Sequence, residues 1–333
     1  MAAASIARGA DPQGFTVRDD ARGAVVEWNG RPFASYVVDQ TNKPYLWPVI
    51  GPTGKAMTRA FPMADVESEP KQQRDHPHHR GITFGHEEFG ADTWHDRSTF
   101  AAGLSSADPA KAEVANRGIG RLGSIRHVAF TRLEGGPDEA VVASTCEHLD
   151  PAGVRRLTEH RRLVFRATDA VRTIDVDQDL VATDGPVTAA DRKDAGLFIR
   201  VPVTMAVDMK QGGKIVTSDG KTDAAAWAQP ARWCDYHGPV EGEHLGIAIL
   251  NHPESFRHPT RWHVRTYGLF TANPFASHGY DPALPDASQT LAPGGAIRLR
   301  HRIVLHAGDA EAAGIERAWR AYAAEPRPPL PAP

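Results

Sequence analysis

The chain has 333 residues, with 38 Lys and Arg against 41 Asp and Glu, and 41% of its residues are hydrophobic. A net charge of −3 leaves no basic surplus for a phosphate backbone, so nucleic acid is excluded as the expected partner. Two cysteines, Cys146 and Cys234, exclude a disulfide framework and a zinc ribbon, and no apolar run approaches the ~20 residues of a membrane helix. The N-terminal stretch lacks the apolar segment of a signal peptide, and the expected location is the reducing cytoplasm, away from any membrane.

Most of the chain alternates with period two, the signature of half-buried strands. Strands are expected over 14–19 and 24–28, joined through the Asn29-Gly30 turn to 32–38, because both turn residues tolerate positive φ. Further strands follow over 45–50, 81–89, 126–133, 140–148, 153–167, 171–182, 197–207, 214–218, 231–236, 244–251, 262–267 and 297–306. In the last, Ile297, Leu299, His301, Ile303 and Leu305 share one face, which places His301 in or beside the core and His306 on the other side. Residues 101–123 have poor periodicity and suit a loop with a short helix. Asp309 can N-cap a helix running to Ala324, with Ile315, Trp319 and Tyr322 on one face.

About fifteen strands without alternating helices exclude a doubly wound α/β fold. The expected fold class is all-β: one large antiparallel β-sandwich with a C-terminal helix, an eight-stranded barrel or two smaller sandwiches being the alternatives. One domain is expected over 13–325, between a frayed 1–12 and a proline-rich tail over 326–333.

Sixteen histidines are the unusual count, and three segments carry them with other polar groups. The densest is Asp75-His76-Pro77-His78-His79-Arg80-Gly81, followed by His86-Glu87-Glu88 and Trp94-His95-Asp96. In an extended chain His76 and His78 point to one side and His79 to the other. Imidazoles ligate borderline metals and move protons near neutral pH. His76 and His78 are therefore the expected ligands of one divalent ion, or of a developing oxyanion, and His79 is a catalytic candidate. In the second segment Asn251 is followed by Arg261-Trp262-His263-Val264-Arg265-Thr266-Tyr267. His263, Arg265 and Tyr267 would line one strand face, and a polar ligand suits that row. The third segment runs from Arg192 to Arg200, where Lys193 and Arg200 form a candidate clamp for hydroxyls. Trp94 offers a flat surface for a sugar ring. Glu159, in mid-strand on the face of Leu157 and Arg161, is either paired with an arginine or a second candidate base beside His263. No nucleotide-cofactor motif is present.

The block DHPHHRGITFGHEEFGADTWHD, with KDAGLFIR, LGIAILNHPESFRHPTRWHVRTYGLFTANPF and LAPGGAIRLRHRIVLHAGD, resembles the PmoA-like family of bacterial proteins of unknown function, from about Arg31 to the final helix. The resemblance implies carbohydrate catabolism, alongside sugar oxidoreductases and keto-glycoside-processing proteins. A mutarotase-like supersandwich, as in the aldose-1-epimerases, agrees with the length and strand count. The expected function is acid/base chemistry on a sugar or keto-sugar glycoside, by β-elimination and hydration or by epimerisation. His263 or Glu159 would be the base, and Lys193, Arg200, Asn251, Arg265 and Tyr267 would hold sugar oxygens. The alternatives are a non-catalytic sugar-binding protein and a redox metalloprotein.

Overall fold

The computed structural model describes residues 13–67 and 69–326. The expectations for 1–12 and for the tail from 327 lie outside the described residues. In chain order the strands are β1 (Phe15–Asp20), β2 (Gly23–Trp28), β3 (Arg31–Val37), β4 (Tyr45–Val49), β5 (Ile82–His86), β6 (Ser124–Glu134), β7 (Ala140–Leu149), β8 (Arg155–Ala167), β9 (Val171–Ala182), β10 (Val187–Ala189), β11 (Ala195–Arg200), β12 (Lys214–Thr217), β13 (Trp233–Val240), β14 (Glu243–Asn251), β15 (Arg261–Val264), β16 (Leu269–Asn273), β17 (Gln289–Leu291) and β18 (Ala296–Ala307). The helices are α1 (Ala101–Leu104), α2 (Pro109–Ile119) and α3 (Ile315–Ala323).

Two eight-stranded antiparallel sheets account for sixteen of these strands, so the sandwich reading holds and the barrel does not. The first sheet runs β1-β2-β3-β4-β5-β11-β16-β15 and the second β12-β13-β14-β18-β9-β8-β7-β6, with β10 and β17 paired apart. The Asn29-Gly30 turn has φ of 51° and 68°, as a type I′ hairpin requires. The inner faces close on Val26, Phe33, Ile82, Leu197, Ile199, Trp262 and Phe270 from one sheet, and on Leu163, Phe165, Ile174, Ile247, Ile249 and Ile303 from the other.

The outer face of the second sheet is covered by α3, whose Ile315 and Tyr322 pack on Trp233, Ala248, Leu250 and Val304. This helix starts later than expected: Gly314 occupies its N-cap in the left-handed region, and Asp309 instead accepts from the Ala312 amide in the preceding turn. His301 lies in the core as its alternation implies, but His306 is also buried, its Nε2 2.7 Å from the Asp235 carboxylate under the same cover.

The outer face of the first sheet carries the other chemistry. His263, Thr271, Phe198 and Thr83 lie side by side across β15, β16, β11 and β5. One residue pair along, Gly85 faces Gly196. A Cβ on Gly85 would stand 2.8 Å from the Thr93 carbonyl oxygen and 3.0 Å from the Trp94 Cα, so the missing side chain lets 92–95 lie on the sheet. Gly81, at φ 47°, admits the chain into β5 where a Cβ would meet the Leu46 carbonyl at 2.0 Å.

Glu159 is placed elsewhere, on the inner face of the second sheet and fully buried. It accepts from Arg161 Nε at 2.6 Å, Gln178 Nε2 at 2.8 Å and His148 Nε2 at 2.9 Å, while Arg161 Nη1 donates to Tyr36 Oη at 3.0 Å. Burial opposes its ionisation, but the Arg161 charge and the His148 hydrogen bond outweigh burial and lower its pKa. A carboxylate so saturated inside the sandwich ties the sheets together and does not serve as a base. Glu159→Ala is expected to cost about 3–5 kcal/mol, since Arg161 is left as an uncompensated buried charge. Denaturant titration checks the loss, and any activity per folded molecule should be retained.

Candidate active site on the outer face of the first sheet

The three segments expected to carry chemistry meet here. Segment 75–80 reaches β11 through Arg200, whose Nη2 donates to Asp75 Oδ1 at 2.8 Å and whose Nη1 donates to His79 Nδ1 at 3.4 Å. It reaches the 265–268 turn through His76, whose ring stacks on Tyr267 at 5.4 Å and on His79 at 4.9 Å, both nearly parallel. Residue 263 meets segment 192–200 directly, its Nδ1 2.6 Å from the Lys193 carbonyl oxygen.

The base of this cluster is dry. Trp94, Phe198 and Leu269 pack together, with the Trp94 and Phe198 ring centroids 4.2 Å apart. His79 lies edge-on to both rings, at 5.6 Å and 5.5 Å. Trp94 is only 1% exposed, so its expected role as a sugar platform is corrected: both its faces belong to the protein interior. His79 is likewise a packed ring, not a catalytic one. Its Nδ1 accepts from Arg200, and burial together with the neighbouring imidazole and guanidinium charges holds its pKa well below the usual value.

Above this floor the backbone is strained. His76 adopts φ 46°, a left-handed conformation that costs a non-glycine residue roughly 1–2 kcal/mol. Arg59 maintains it, with Nη2 donating to the His76 carbonyl at 3.0 Å and Nη1 to Asp75 Oδ1 at 3.1 Å. The Asp75 carboxylate thus lies between Arg59, Arg200 and the His76 ring, whose Nδ1 is 2.7 Å away. Burial works against its charge, yet the His76 hydrogen bond and the two guanidiniums lower its pKa to about 2. Arg200, 1% exposed and committed to Asp75, His79 and the Tyr267 ring face, is a positioning residue and does not hold sugar oxygens.

Two imidazoles are held in a form suited to taking protons. His95 Nδ1 lies 2.9 Å from Asp92 Oδ2, and the buried Asp92 is itself fixed by the amides of Trp94 and His95 on Oδ1. The Nδ1–H tautomer this selects leaves Nε2 as the lone-pair nitrogen. His95 keeps 20% of its side chain exposed. His263 is anchored through Nδ1 in the same way, by the Lys193 carbonyl, with Asp194 Oδ1 at 3.6 Å. Burial lowers the His263 pKa to about 4, only partly offset by Asp194. Among the described residues neither Nε2 takes a hydrogen bond. The Glu87 amide donates to the Asp194 carbonyl at 2.9 Å, and burial with the Asp194 charge raises the pKa of its carboxyl. Tyr267, also raised by burial, stays a protonated phenol.

The expected row of His263, Arg265 and Tyr267 is only half a strand. β15 ends at Val264, and Arg265–Gly268 form a turn closed by the Arg265 amide on the Leu269 carbonyl at 2.8 Å. The Lys193 ammonium, half exposed, pairs with Asp194 at 3.2 Å, so this residue contributes its carbonyl to the site. Asn251 is absent from the cluster. It is buried on the second sheet, where it joins His258, Thr260 and His301.

His76 and His78 do not form the expected metal pair. Their rings sit edge to face 5.8 Å apart, and the Nδ1 atoms are engaged by Asp75 and by Thr99 at 2.9 Å. Among the described residues no group of three or more His, Cys, Asp or Glu is arranged to hold an ion. These donors do not fit a metal, and no step is derived through one. The sequence reading named Glu87 and His95 beside its densest segment without giving them a role, and passed over Asp92. The one available signal was an Asp three residues before a His in an irregular segment, a spacing at which a carboxylate can reach both the ring and the intervening amides.

A model of a family of unknown function, DUF6807, matches residues 23–320. This corrects the PmoA-like resemblance: the quoted blocks fall within the DUF6807 match, and no PmoA-like family is found. No curated protein matches the chain. Among solved structures, an alpha-galactosidase from Lactobacillus brevis aligns at 10% identity and TM-score 0.34, over 62% of this chain and 31% of that one. A putative aldose 1-epimerase from Escherichia coli aligns at 14% identity and TM-score 0.28, over 56% of this chain and 69% of that one. A GH36 alpha-galactosidase from Geobacillus stearothermophilus, solved in complex with raffinose, aligns at 12% identity and TM-score 0.25, over 56% and 28%. This chain thus spans 31% of the first of these proteins, and likeness at this level carries no argument about activity. Among the described residues no helix is long and apolar enough to cross a membrane.

Proposed function

Because the chain belongs to the DUF6807 family of unknown function, its activity must be read from its own site, and we propose a carbohydrate-active enzyme that takes a proton from a carbon beside a carbonyl group. The observation that carries this reading is the Asp92–His95 pair, a partly exposed imidazole whose tautomer is set by a buried carboxylate and whose Nε2 is unclaimed. Such a nitrogen presents the lone pair that a general base needs. A carbonyl acidifies the adjoining C–H, and the negative charge that develops needs positive charge or hydrogen-bond donors close by. Arg265 and the Tyr267 phenol stand on the same face. Loss of the proton creates a carbon–carbon double bond if the neighbouring C–O bond breaks, the departing oxygen taking a proton from Tyr267. Return of the proton to the other side of the same carbon would instead give an epimer. A sugar suits a rim made of imidazole nitrogens, a phenol and a guanidinium, since each hydroxyl can both donate and accept.

The test is hydrogen exchange. Neutral hexoses, 3-keto-glycosides and hexuronates are each incubated with the protein in D2O and followed by proton NMR. Deuterium entering beside a carbonyl, or a new vinyl signal, with dependence on His95, supports the reading. Binding of these compounds with no exchange and no turnover would make the protein a sugar-binding module instead.

A further inference from the structure

The charges around the site do not balance. Asp75 is shared by Arg59 and Arg200, and Asp194 is taken by Lys193 and faces His263. Arg265 has neither a carboxylate partner nor a hydrogen-bond acceptor for its guanidinium among the described residues. Aromatic rings hold it instead: its Cζ lies 5.6 Å from the Tyr267 ring centroid and 5.7 Å from that of Trp227. Its backbone is fixed as well, the carbonyl accepting from Tyr236 Oη at 3.3 Å and from the Gly268 amide at 2.9 Å. The guanidinium is thus positioned and only partly exposed, with its donors unused. Beside it, the Trp227 Nε1–H is buried with no acceptor among the described residues. Trp227 also leads back to the site, its ring edge-on to Tyr280 at 5.5 Å and Tyr280 edge-on to His263 at 5.9 Å. Two neighbouring donor groups without acceptors fit a ligand group that only accepts, and a planar carboxylate matches the guanidinium fork.

We propose that the substrate is an acidic sugar, a hexuronate or a glycoside of one, whose carboxylate is bound by Arg265 and Trp227. This rests on the acid/base reading above and deepens it. The carboxylate is then the carbonyl group of the reaction. The imidazole base removes the proton from the carbon that bears it, and that electron pair forms a double bond to the next carbon. The C–O bond there breaks, and the leaving oxygen takes the Tyr267 proton. The protonated imidazole returns a proton to the phenolate through solvent, so no oxidant, reductant or second substrate is consumed. Arg265 neutralises the substrate carboxylate, without which a second negative charge could not build up on it.

Calorimetric titration at low ionic strength tests the assignment with D-glucuronate and D-galacturonate against D-glucose and D-galactose, and with glucose 6-phosphate as a differently shaped anion. Wild-type protein is expected to bind a hexuronate at least about tenfold more tightly than the matching hexose, the scale of one charge-assisted hydrogen bond. R265Q should remove that preference by lowering hexuronate affinity far more than hexose affinity, while R265K, which keeps the charge without the fork, should retain part of it. Thermal melting of each variant confirms folding. Equal binding of hexuronate and hexose, or a preference that persists in R265Q, would overturn the assignment. Stronger binding of the phosphate ester would replace the carboxylate by a phosphate. His95-dependent exchange on neutral keto-sugars without a hexuronate preference would remove this inference and leave the acid/base reading standing. Absence of both would remove the two together.

Discussion

His95→Asn is expected to lower the exchange rate by about 10²- to 10⁴-fold, the usual worth of a positioned general base. Asparagine can still present an N–H to Asp92 Oδ2, so the local fold is kept while the Nε2 lone pair is lost. Stability should move by no more than about 0.5 kcal/mol, because the ring is partly exposed and fills no core position. Asp92→Asn acts through the ring. The carboxylate accepts at both oxygens, from two amides at Oδ1 and from the imidazole at Oδ2. An amide can accept at only one, so one interaction is lost and the tautomer with a basic Nε2 is no longer selected. His263→Asn is the comparison. It keeps a donor for the Lys193 carbonyl, but its ring is nearly closed to solvent, and its effect should be smaller. Rates measured on purified, melting-matched variants decide the order. If His263→Asn abolishes exchange and His95→Asn leaves it intact, the base is His263.

The sheets were legible because period-two alternation survives wherever one face of a strand is wetter than the other. The strand over 171–182 came out with its observed bounds, and the Asn29-Gly30 hairpin followed from positive φ alone. β16 escaped because Leu269–Asn273 is buried on both faces and shows no alternation. Alternation also tells which residues share a face without telling which face points inward. Glu159 could for that reason be an arginine partner or a base, and because its side of the strand is the interior of the sandwich it is the partner of Arg161. The histidine-rich segments were legible as a site because so many imidazoles close together are costly to bury without partners. Their individual roles were not, since they depend on contacts between distant segments. Trp94 turns inward only because Phe198 and Leu269 supply its floor, and Lys193 serves through its carbonyl, which no side-chain pattern reveals.

The same burial of neutral imidazoles predicts steep acid sensitivity. Burial lowers the pKa of His86 and His301 to about 3, that of His263 to about 4, and that of His78 and His79 well below the usual 6.5. Each ring is uncharged when folded and takes a proton once unfolded, so the unfolded state binds more protons and stability falls as pH falls. The loss begins near pH 6.5, where the unfolded rings start to protonate, and continues until the folded rings titrate at about pH 3–4. Between pH 6.5 and 5 each of His86, His301 and His263 removes on the order of 1–2 kcal/mol. Together these three would remove about 3–6 kcal/mol, a large share of the whole stability of an ordinary domain, about 5–15 kcal/mol, and His78 and His79 act in the same direction. His306 opposes this, because the Asp235 hydrogen bond and charge outweigh its burial and raise its pKa; its contribution is complete below pH 6.5 and is lost as pH rises through the raised value. Asp75, at about 2, has a carboxylate's dependence, lost only at lower pH, and cannot explain a change above pH 5. Urea titrations at pH 7.5, 6.5, 5.5 and 5 should therefore show the midpoint dropping sharply before any ordinary carboxylate titrates. His86→Leu should flatten that dependence by one ring's share, whatever it does to stability at pH 7.5. A midpoint that barely moves between pH 7.5 and 5 would mean that these imidazoles reach water or carry charge in the folded protein.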